Sequence, residues 1–251
     1  MLEVIDHGPI RELQIAHPPV NALRPKVLAA LREALEAALG EGAGAVVISG
    51  APGFFSAGLD VPFMLEGGDA AAIATFEELF ALRSALVMSA VPVAAAITGH
   101  SPAGGAVLAI CCDYRVMAEG KYKIGLNEVQ VGLPVSHVLL ANLSRLVGPR
   151  HAERMCVEGR LLSPQEAYDI GLVDSLVPTE QVVPTALEWC ERLLAAPSRA
   201  MLRTRAVARA DLVDLYADPQ RPGPEEFIEA WSSEETQTTM RALVARLKNK
   251  G

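Results

Sequence analysis

The stretch from residue 84 to residue 112 contains no Asp, Glu, Lys or Arg at any of its 29 positions. A membrane-spanning helix needs about 20 predominantly apolar residues, but prolines and glycines between Pro92 and Gly105 break this stretch into shorter apolar runs. Two buried elements joined by a turn therefore explain it better. We predict a buried strand over 91–98, a turn over 99–102 and a buried helix over 103–112.

Strand and helix patterns alternate along the rest of the chain. Leucines and valines recur at helical spacing between Leu23 and Leu39, and Gly40 follows where a left-handed helix cap is expected. Another helix is predicted over about 71–87, and only helices are predicted after Thr179. Short apolar runs predict further strands over 10–16, 45–49, 113–118 and 172–177. This order indicates an α/β core with a helical appendage.

The composition excludes several classes of protein. The chain is acidic, with 30 Asp and Glu against 22 Lys and Arg and a formal net charge of −8. A general nucleic-acid binder needs a basic surface, so this balance argues against that class. The four cysteines form no CxxC pair and are too few for a disulfide scaffold. The first residues lack a basic start followed by an apolar run, so we expect a soluble cytoplasmic protein without a membrane partner.

Gly104 and Gly105 open the predicted buried helix directly after a strand and a turn. The first N–H groups of a helix have no partner within it, and glycine lets a ligand come close to the backbone. This segment can therefore hold an anion or a developing oxyanion, with tight helix packing as the alternative. No Gly-Lys-Ser/Thr or G-x-G-x-x-G pattern indicates a nucleotide site here. Ser101 resembles a hydrolase nucleophile, but the following Pro102 has no N–H for an oxyanion.

A second loop, FFSAGLD at 54–60, also combines small residues with an accessible backbone. Two such loops, each offering one N–H, can bind one carbonyl oxygen between them. Glu128 is the candidate base, because apolar neighbours raise the pKa of a carboxyl group toward neutrality. A surface glutamate at a strand edge is the alternative. The histidines have no metal-ligand spacing, so we expect no metal site.

Six segments, in the same order, resemble the crotonase (enoyl-CoA hydratase/isomerase) superfamily, and within it the Δ3,Δ2-enoyl-CoA isomerases in particular. They are PVNAL at 19–23, FSAGLD at 55–60, SPAGG at 101–105, CDYR at 112–115, IGLNE at 124–128 and GLVDSLVP at 171–178. Any one of them is weak evidence, but six in order are specific. The resemblance runs from about Pro19 to Leu187.

The resemblance implies a fold, an assembly and a substrate class. The family fold is a spiral of repeated ββα units followed by a C-terminal helical region that builds homotrimers, often paired into hexamers. On this chain, we assign residues 1–195 to the spiral core with the acyl-CoA site and residues 196–251 to the helical oligomerisation region. Coenzyme A is expected as part of the thioester substrate and not as a permanently bound cofactor.

The resemblance also implies the site residues. Motif positions assign the two oxyanion N–H groups to Leu59 and Gly104 and the catalytic base to Glu128. Hydratases of the family carry a second glutamate three residues after the oxyanion-hole glycine, where this chain has Val107. Because valine can neither accept a proton nor hold a water, we expect an isomerase of fatty-acid oxidation. Glu128 then moves a proton from the α carbon to the γ carbon of a 3-enoyl thioester.

The CoA moiety needs contacts of its own. Arg24 and Lys26 are candidates for its phosphates, and the family resemblance assigns the adenine to the backbone of Phe55, Ser56 and Ala57. Other basic candidates are Lys121, Lys123, Arg241, Arg246, Lys248 and Lys250. The choice of acyl-chain length is expected to depend on a pocket floor formed by residues 61–81.

Two alternatives remain open. The chain could be a hydratase, or catalyse another acyl-CoA reaction on the same scaffold. It could also bind acyl-CoA or RNA, or form a structural oligomer, without turnover. Residues 132–137, which follow Glu128, carry no carboxylate, and this argues against dehalogenase-type and dienoyl-isomerase-type chemistry. The negative net charge argues against RNA binding.

Overall fold

The structure, a computed structural model, describes residues 1–218, 220 and 223–248. Its strands are β1 (Leu2–His7), β2 (Ile10–Ile15), β3 (Ala45–Gly50), β4 (Gly53–Phe54), β5 (Val93–Ile97), β6 (Gly99–Pro102), β7 (Tyr114–Ala118), β8 (Ile124–Gly125) and β9 (Ser175–Val177). Its helices are α1 (Pro25–Gly40), α2 (Val61–Val87), α3 (Gly104–Cys111), α4 (His137–Glu158), α5 (Pro164–Asp169), α6 (Val182–Leu194), α7 (Ser198–Ala208), α8 (Ala210–Ala217), α9 (Glu225–Trp231) and α10 (Glu234–Lys248). Within these ranges, no helix is long and apolar enough to cross a bilayer.

Two sheets form the core of the α/β fold. The larger has the strand order β1-β2-β3-β5-β7-β9, and the smaller has the order β4-β6-β8. All pairs are parallel except the β1–β2 hairpin. Along the chain, a strand of the large sheet is followed by a strand of the small sheet and then by a helix, three times in succession. This repetition is the expected spiral of ββα units.

The central strands are buried on both faces, which explains their continuous apolar runs. Val46 and Ile48 face a core shared with α1, α2 and α3. Val47 and Ala94 face the opposite way, toward Val182 and other residues of α6. The charge-free stretch forms β5, β6 and α3, as the sequence predicts, except that the expected turn over 99–102 is a short strand.

Three sequence predictions are wrong in detail. Gly40 is not a left-handed cap, because α1 continues to a right-handed cap at Glu41 and Gly42 adopts the positive φ of 85°. The predicted helix over 71–87 begins ten residues earlier, at Val61, and contains a non-helical Gly68 with φ of 63°. The predicted strand over 172–177 begins only at Ser175.

The helices that follow α6 pack against the core instead of forming a separate body. α8 and α9 contact α2, and α10 contacts both α2 and the short 3-10 turn Glu128–Val131. The division into a spiral core (1–195) and a helical oligomerisation region (196–251) stays a prediction. Residues 219, 221–222 and 249–251 of the second region lie outside the described residues.

A buried ion cluster joins α7 to the large sheet. The carboxylate of Asp113 accepts hydrogen bonds from Arg205 at 2.9 and 3.0 Å, from the N–H of Val93 at 2.8 Å, and contacts Arg209 at 3.0 Å. All three charged side chains are largely buried. Removing one member of such a cluster leaves a buried charge without compensation.

We expect Asp113→Ala to lower the free energy of unfolding by about 3 kcal/mol or more, because two buried guanidinium groups lose their carboxylate. Chemical denaturation monitored by circular dichroism measures this loss. Glu153→Ala is the matched control, since Glu153 pairs with Arg150 on the exposed surface of α4 and its loss should cost less than about 0.5 kcal/mol. Equal losses of stability in the two variants would contradict the interpretation of Asp113 as the centre of a buried ion cluster.

Candidate active site

One cavity of about 410 Å³ contains most of the residues that the sequence singles out. Ala57, Leu59, Gly104, Val107 and Glu128 all line it. Its walls are otherwise almost entirely apolar, and Arg83 and Asn127 are the remaining polar side chains among the described lining residues. A cavity of this composition suits an apolar chain that carries one reactive polar group.

The first loop of the cavity is shaped by hydrogen bonds around Ser56. The Ser56 hydroxyl donates to the carbonyl of Asn21 at 2.9 Å and accepts from the N–H of Gly58 at 3.0 Å. Gly58 has a φ of 88°, a conformation that favours glycine. Leu23 bonds to the residues on either side of Leu59, but within the described chain the N–H of Leu59 itself has no acceptor.

The second loop turns sharply into α3. Ala103, the residue before the helix, has a φ of 46° and a ψ of −120°, which is strained for a residue with a side chain. Its N–H donates to the carbonyl of Gly125 at 2.8 Å, which holds the turn in place. The N–H of Gly104 follows, and it too donates to no described acceptor.

The two loops are in close contact. A Cβ atom placed on Gly58 would lie 3.3 Å from the nitrogen of Gly104, and one placed on Gly104 would lie 3.4 Å from the nitrogen of Leu59. Both unused N–H groups therefore lie at the same end of the cavity, where they can stabilise negative charge on one oxygen atom. The structure thus brings Leu59 and Gly104 together, and their role as oxyanion donors stays a prediction.

Glu128 begins the 3-10 turn Glu128–Val131 and is only 7% exposed. The alternative of a surface glutamate is therefore wrong. Burial is the main cause that raises the pKa of this carboxyl group to about 7. Its Oε2 atom has no hydrogen-bond partner among the described residues, so it is available to a ligand. A carboxyl group with a pKa near neutrality can both accept and return a proton.

The remaining predicted residues lie outside the cavity or at its edge. The side chains of Phe55 and Ser56 are buried beneath the first loop, and their N–H groups both donate to the carbonyl of His100. Arg24 bonds to Asp60 at 2.7 Å and is half-exposed, while Lys26 is exposed. Their role in CoA binding stays a prediction.

Further residues, from α2, from the segment before Glu128 and from α9 and α10, complete the cavity. The sequence interpretation missed them. Arg83 and Asn127 add polar groups, and Phe227, Met240 and Leu243 add apolar surface from α9 and α10. Arg83 did carry a signal, since it is the last charge before the charge-free stretch. Phe227, Met240 and Leu243 carried no such signal, because helical spacing does not show which distant cavity a helix packs against.

The sequence expectation for the pocket floor agrees with this geometry. Val61, Met64, Phe76, Leu79 and Phe80 of α2 all line the cavity, and all fall in the stretch 61–81. Among residues 1–218, 220 and 223–248, no cluster of His, Cys, Asp and Glu could hold a metal ion.

Comparisons with known proteins show which family this chain resembles. The family model described as enoyl-CoA hydratase/isomerase matches residues 7–248. Human mitochondrial enoyl-CoA delta isomerase 1 is 34% identical over 94% of this chain and 79% of its own length. The probable enoyl-CoA hydratase EchA17 of Mycobacterium tuberculosis is 33% identical over 81% of this chain and 77% of its own length.

Solved structures show the same relationship. The crystal structure of human mitochondrial Δ3-Δ2-enoyl-CoA isomerase has a TM-score of 0.89 and 32% identity, and the match covers 99% of this chain and 98% of that one. The enoyl-CoA hydratase EchA3 of Mycobacterium ulcerans has a TM-score of 0.82 and 26% identity, and the match covers 92% of this chain and 99% of that one. With its spiral of ββα units and paired N–H donors, this chain belongs to the enoyl-CoA hydratase/isomerase family.

Proposed function

We propose that this protein is a Δ3,Δ2-enoyl-CoA isomerase of fatty-acid oxidation. The observation that carries the proposal is the number of carboxylates in the cavity. Glu128 is the one carboxylate among its described lining residues, and Val107 occupies the position where the family's hydratases have a second glutamate. One base and one oxyanion site suffice to move a double bond, whereas hydration also requires a water held against the β carbon.

The reaction begins with the thioester carbonyl oxygen bound by the N–H groups of Leu59 and Gly104. Glu128 removes a proton from C2 of the 3-enoyl chain, and the C–H electron pair forms a C1–C2 double bond while negative charge moves to the oxygen. The two N–H groups stabilise this dienolate. The carboxylic acid of Glu128 then protonates C4, and the double bond comes to lie between C2 and C3. No water is consumed or released.

The environment of Glu128 favours both proton transfers. Burial raises its pKa to about 7, so near neutral pH roughly half of the molecules carry the carboxylate that starts the reaction. Val107 is buried in the lining of the same cavity and offers no group that could position a water. This supports isomerisation over hydration.

The substrate proposal follows from the walls of the cavity. Its apolar lining supports an acyl chain, and the lining residues between Val61 and Phe80 of α2 support a role for that helix in chain-length selection. We also propose that Arg24 and Lys26 meet the CoA phosphates. Assembly into trimers or hexamers is supported by α7, which has no apolar residue buried in the single chain and leaves Val207 73% exposed.

The first test compares two substrates. We expect a trans-3-enoyl-CoA to gain the absorbance of a conjugated thioester in the presence of the protein, and a trans-2-enoyl-CoA to lose only the minor fraction that equilibration with the 3-enoyl isomer requires. Ultraviolet spectroscopy measures both changes. Rapid loss of absorbance with the 2-enoyl substrate would show that water is added despite Val107, and would overturn the isomerase assignment in favour of a hydratase.

The second test replaces the base. We expect Glu128→Gln to lower kcat by at least about 1,000-fold, because no other described residue of the cavity can take the proton. Retention of more than a tenth of the activity would contradict the role of Glu128.

The same variant should be more stable at high pH. The folded protein holds the Glu128 proton up to pH about 7, whereas the ordinary pKa is 4.5, so Glu128 destabilises the fold as pH rises through this window. We expect Glu128→Gln to raise the free energy of unfolding by up to about 3 kcal/mol at pH 8 and by almost nothing at pH 4.5. Chemical denaturation at the two pH values measures the difference, and an equal effect at both would contradict the raised pKa.

A further inference from the structure

Arg83 is a buried charge that the proposed reaction does not use. It lies on α2, is 2% exposed and lines the same cavity as Glu128. Its guanidinium lies over the rings of Phe80 and Tyr216, at 4.7 and 5.7 Å from their centres. Its Nη2 donates to the Tyr216 hydroxyl at 3.4 Å, and its Nε has no acceptor in the described structure.

A guanidinium stays protonated inside proteins, so Arg83 carries a full positive charge in an apolar setting. Burying such a charge without a partner is costly. Within the described residues, no carboxylate lies within 4.0 Å of it. The ring contacts offset part of this cost. Because Arg83 makes no ion pair with a described residue, no ion pair offsets the remaining cost of burying its charge.

The one opposite charge in the cavity is Glu128, which also lacks an ion pair. The two groups share one apolar space without touching, so their attraction is weakly screened by solvent. Burial raises the pKa of Glu128, whereas a hydrogen bond to its own backbone N–H and, after it, the positive charge of Arg83 lower the pKa. Arg83 therefore favours the ionised form of Glu128, and it is the charge that a substitution can remove.

The other elements packed around Glu128 contribute no further charge. From α4, Cys156 lies close by, and burial raises the pKa of its thiol to about 11, so it is neutral through the working range. From α10, Met240 and Leu243 line the cavity, and from α3 the lining residues are Gly104 and Val107. None of these four titrates. Arg83 is therefore the charged partner of Glu128 in the described part of the chain.

We propose that Arg83 is a positioning residue that keeps Glu128 ionised and remains as a fixed counter-charge while the negative charge moves to the substrate oxygen. Before proton transfer, the cavity contains one guanidinium and one carboxylate. After it, the cavity contains one guanidinium, one neutral carboxylic acid and one dienolate. The cavity stays neutral throughout, so the proton moves without creating a new uncompensated charge.

The first half of this proposal is independent of the reaction, and only the second half rests on the proposed function. A purely structural Arg83 would hold Phe80, Tyr216 and α8 in place, but it would not set the titration of Glu128. The two roles can therefore be separated by a titration that needs no substrate.

The experiment measures the free energy of unfolding of the whole protein as a function of pH, for each variant with and without Glu128→Gln. The difference between the two curves gives the pKa of Glu128 in that variant. Arg83→Met removes the charge, and Arg83→Lys keeps it. Tyr216→Phe is the matched control, because it removes the hydroxyl that Arg83 bonds and leaves the charge in place. If Arg83→Met does not fold, Arg83→Gln serves as the second neutral variant.

We expect the pKa of Glu128 to rise by about 1 in Arg83→Met or Arg83→Gln, which is tenfold in proton affinity. It should stay within about 0.3 of the starting value in Arg83→Lys and in Tyr216→Phe. An unchanged pKa in the neutral variants would overturn the proposal, and so would an equal rise in Tyr216→Phe.

The second readout is the pH profile of kcat/KM with a 3-enoyl-CoA. In the neutral variants we expect about a fivefold loss at pH 7 that is mostly recovered at pH 9, where Glu128 is ionised again. A loss of equal size at both pH values would indicate a structural role. If the protein shows no isomerase activity at all, the proposed function fails, while the substrate-free titration still tests the pairing of Arg83 with Glu128.

Discussion

The close approach of two backbone turns is the constraint on which the rest of the site depends. Strands β4 and β6 lie side by side in the small sheet, and the loop after each strand carries an N–H that the fold leaves unused. The turns come so near each other that a Cβ on Gly58 would lie 3.2 Å from the Cβ of Ala103. Glycine at this position and the strained backbone of Ala103 are the structural requirements of the proposed oxyanion site. In the proposed reaction, this site fixes where the thioester lies relative to Glu128 and the apolar walls.

The proposed chemistry of the cavity depends on two buried charges that cost stability. Glu128 is held among apolar residues that raise its pKa, and Arg83 lies over aromatic rings with no carboxylate of the described residues in contact. Contacts outside the cavity help to hold these two side chains in place. Asp113 binds Arg205 of α7, and the following helix, α8, carries the Tyr216 that contacts Arg83. The ion cluster at the end of the large sheet thus positions the helix that packs against the cavity's cation.

Much of this was predictable from the sequence because it is local or recorded in motifs. The charge-free stretch predicted β5 and α3, and the motif positions predicted that Leu59, Gly104 and Glu128 meet. The edge strand β1 was missed because Glu3, Asp6 and His7 interrupt its apolar residues, so it carries no continuous apolar run. The first ten residues of α2 were missed because Gly67 and Gly68 interrupt the helical pattern. Arg83 and Phe227 could not be assigned to the cavity, since their place in it depends on how distant helices pack.

The most direct test of a single base in an enclosed pocket follows one hydrogen through the reaction. A 3-enoyl-CoA with deuterium at both C2 positions is converted in ordinary water, and mass spectrometry with NMR locates the deuterium in the 2-enoyl product. If Glu128 takes the deuteron from C2 and returns it to C4 before it exchanges with solvent, a substantial fraction of the product carries deuterium at C4. If the C4 hydrogen comes entirely from solvent while C2 retains one deuterium, a second group or a water delivers the proton. That result would contradict the one-base account.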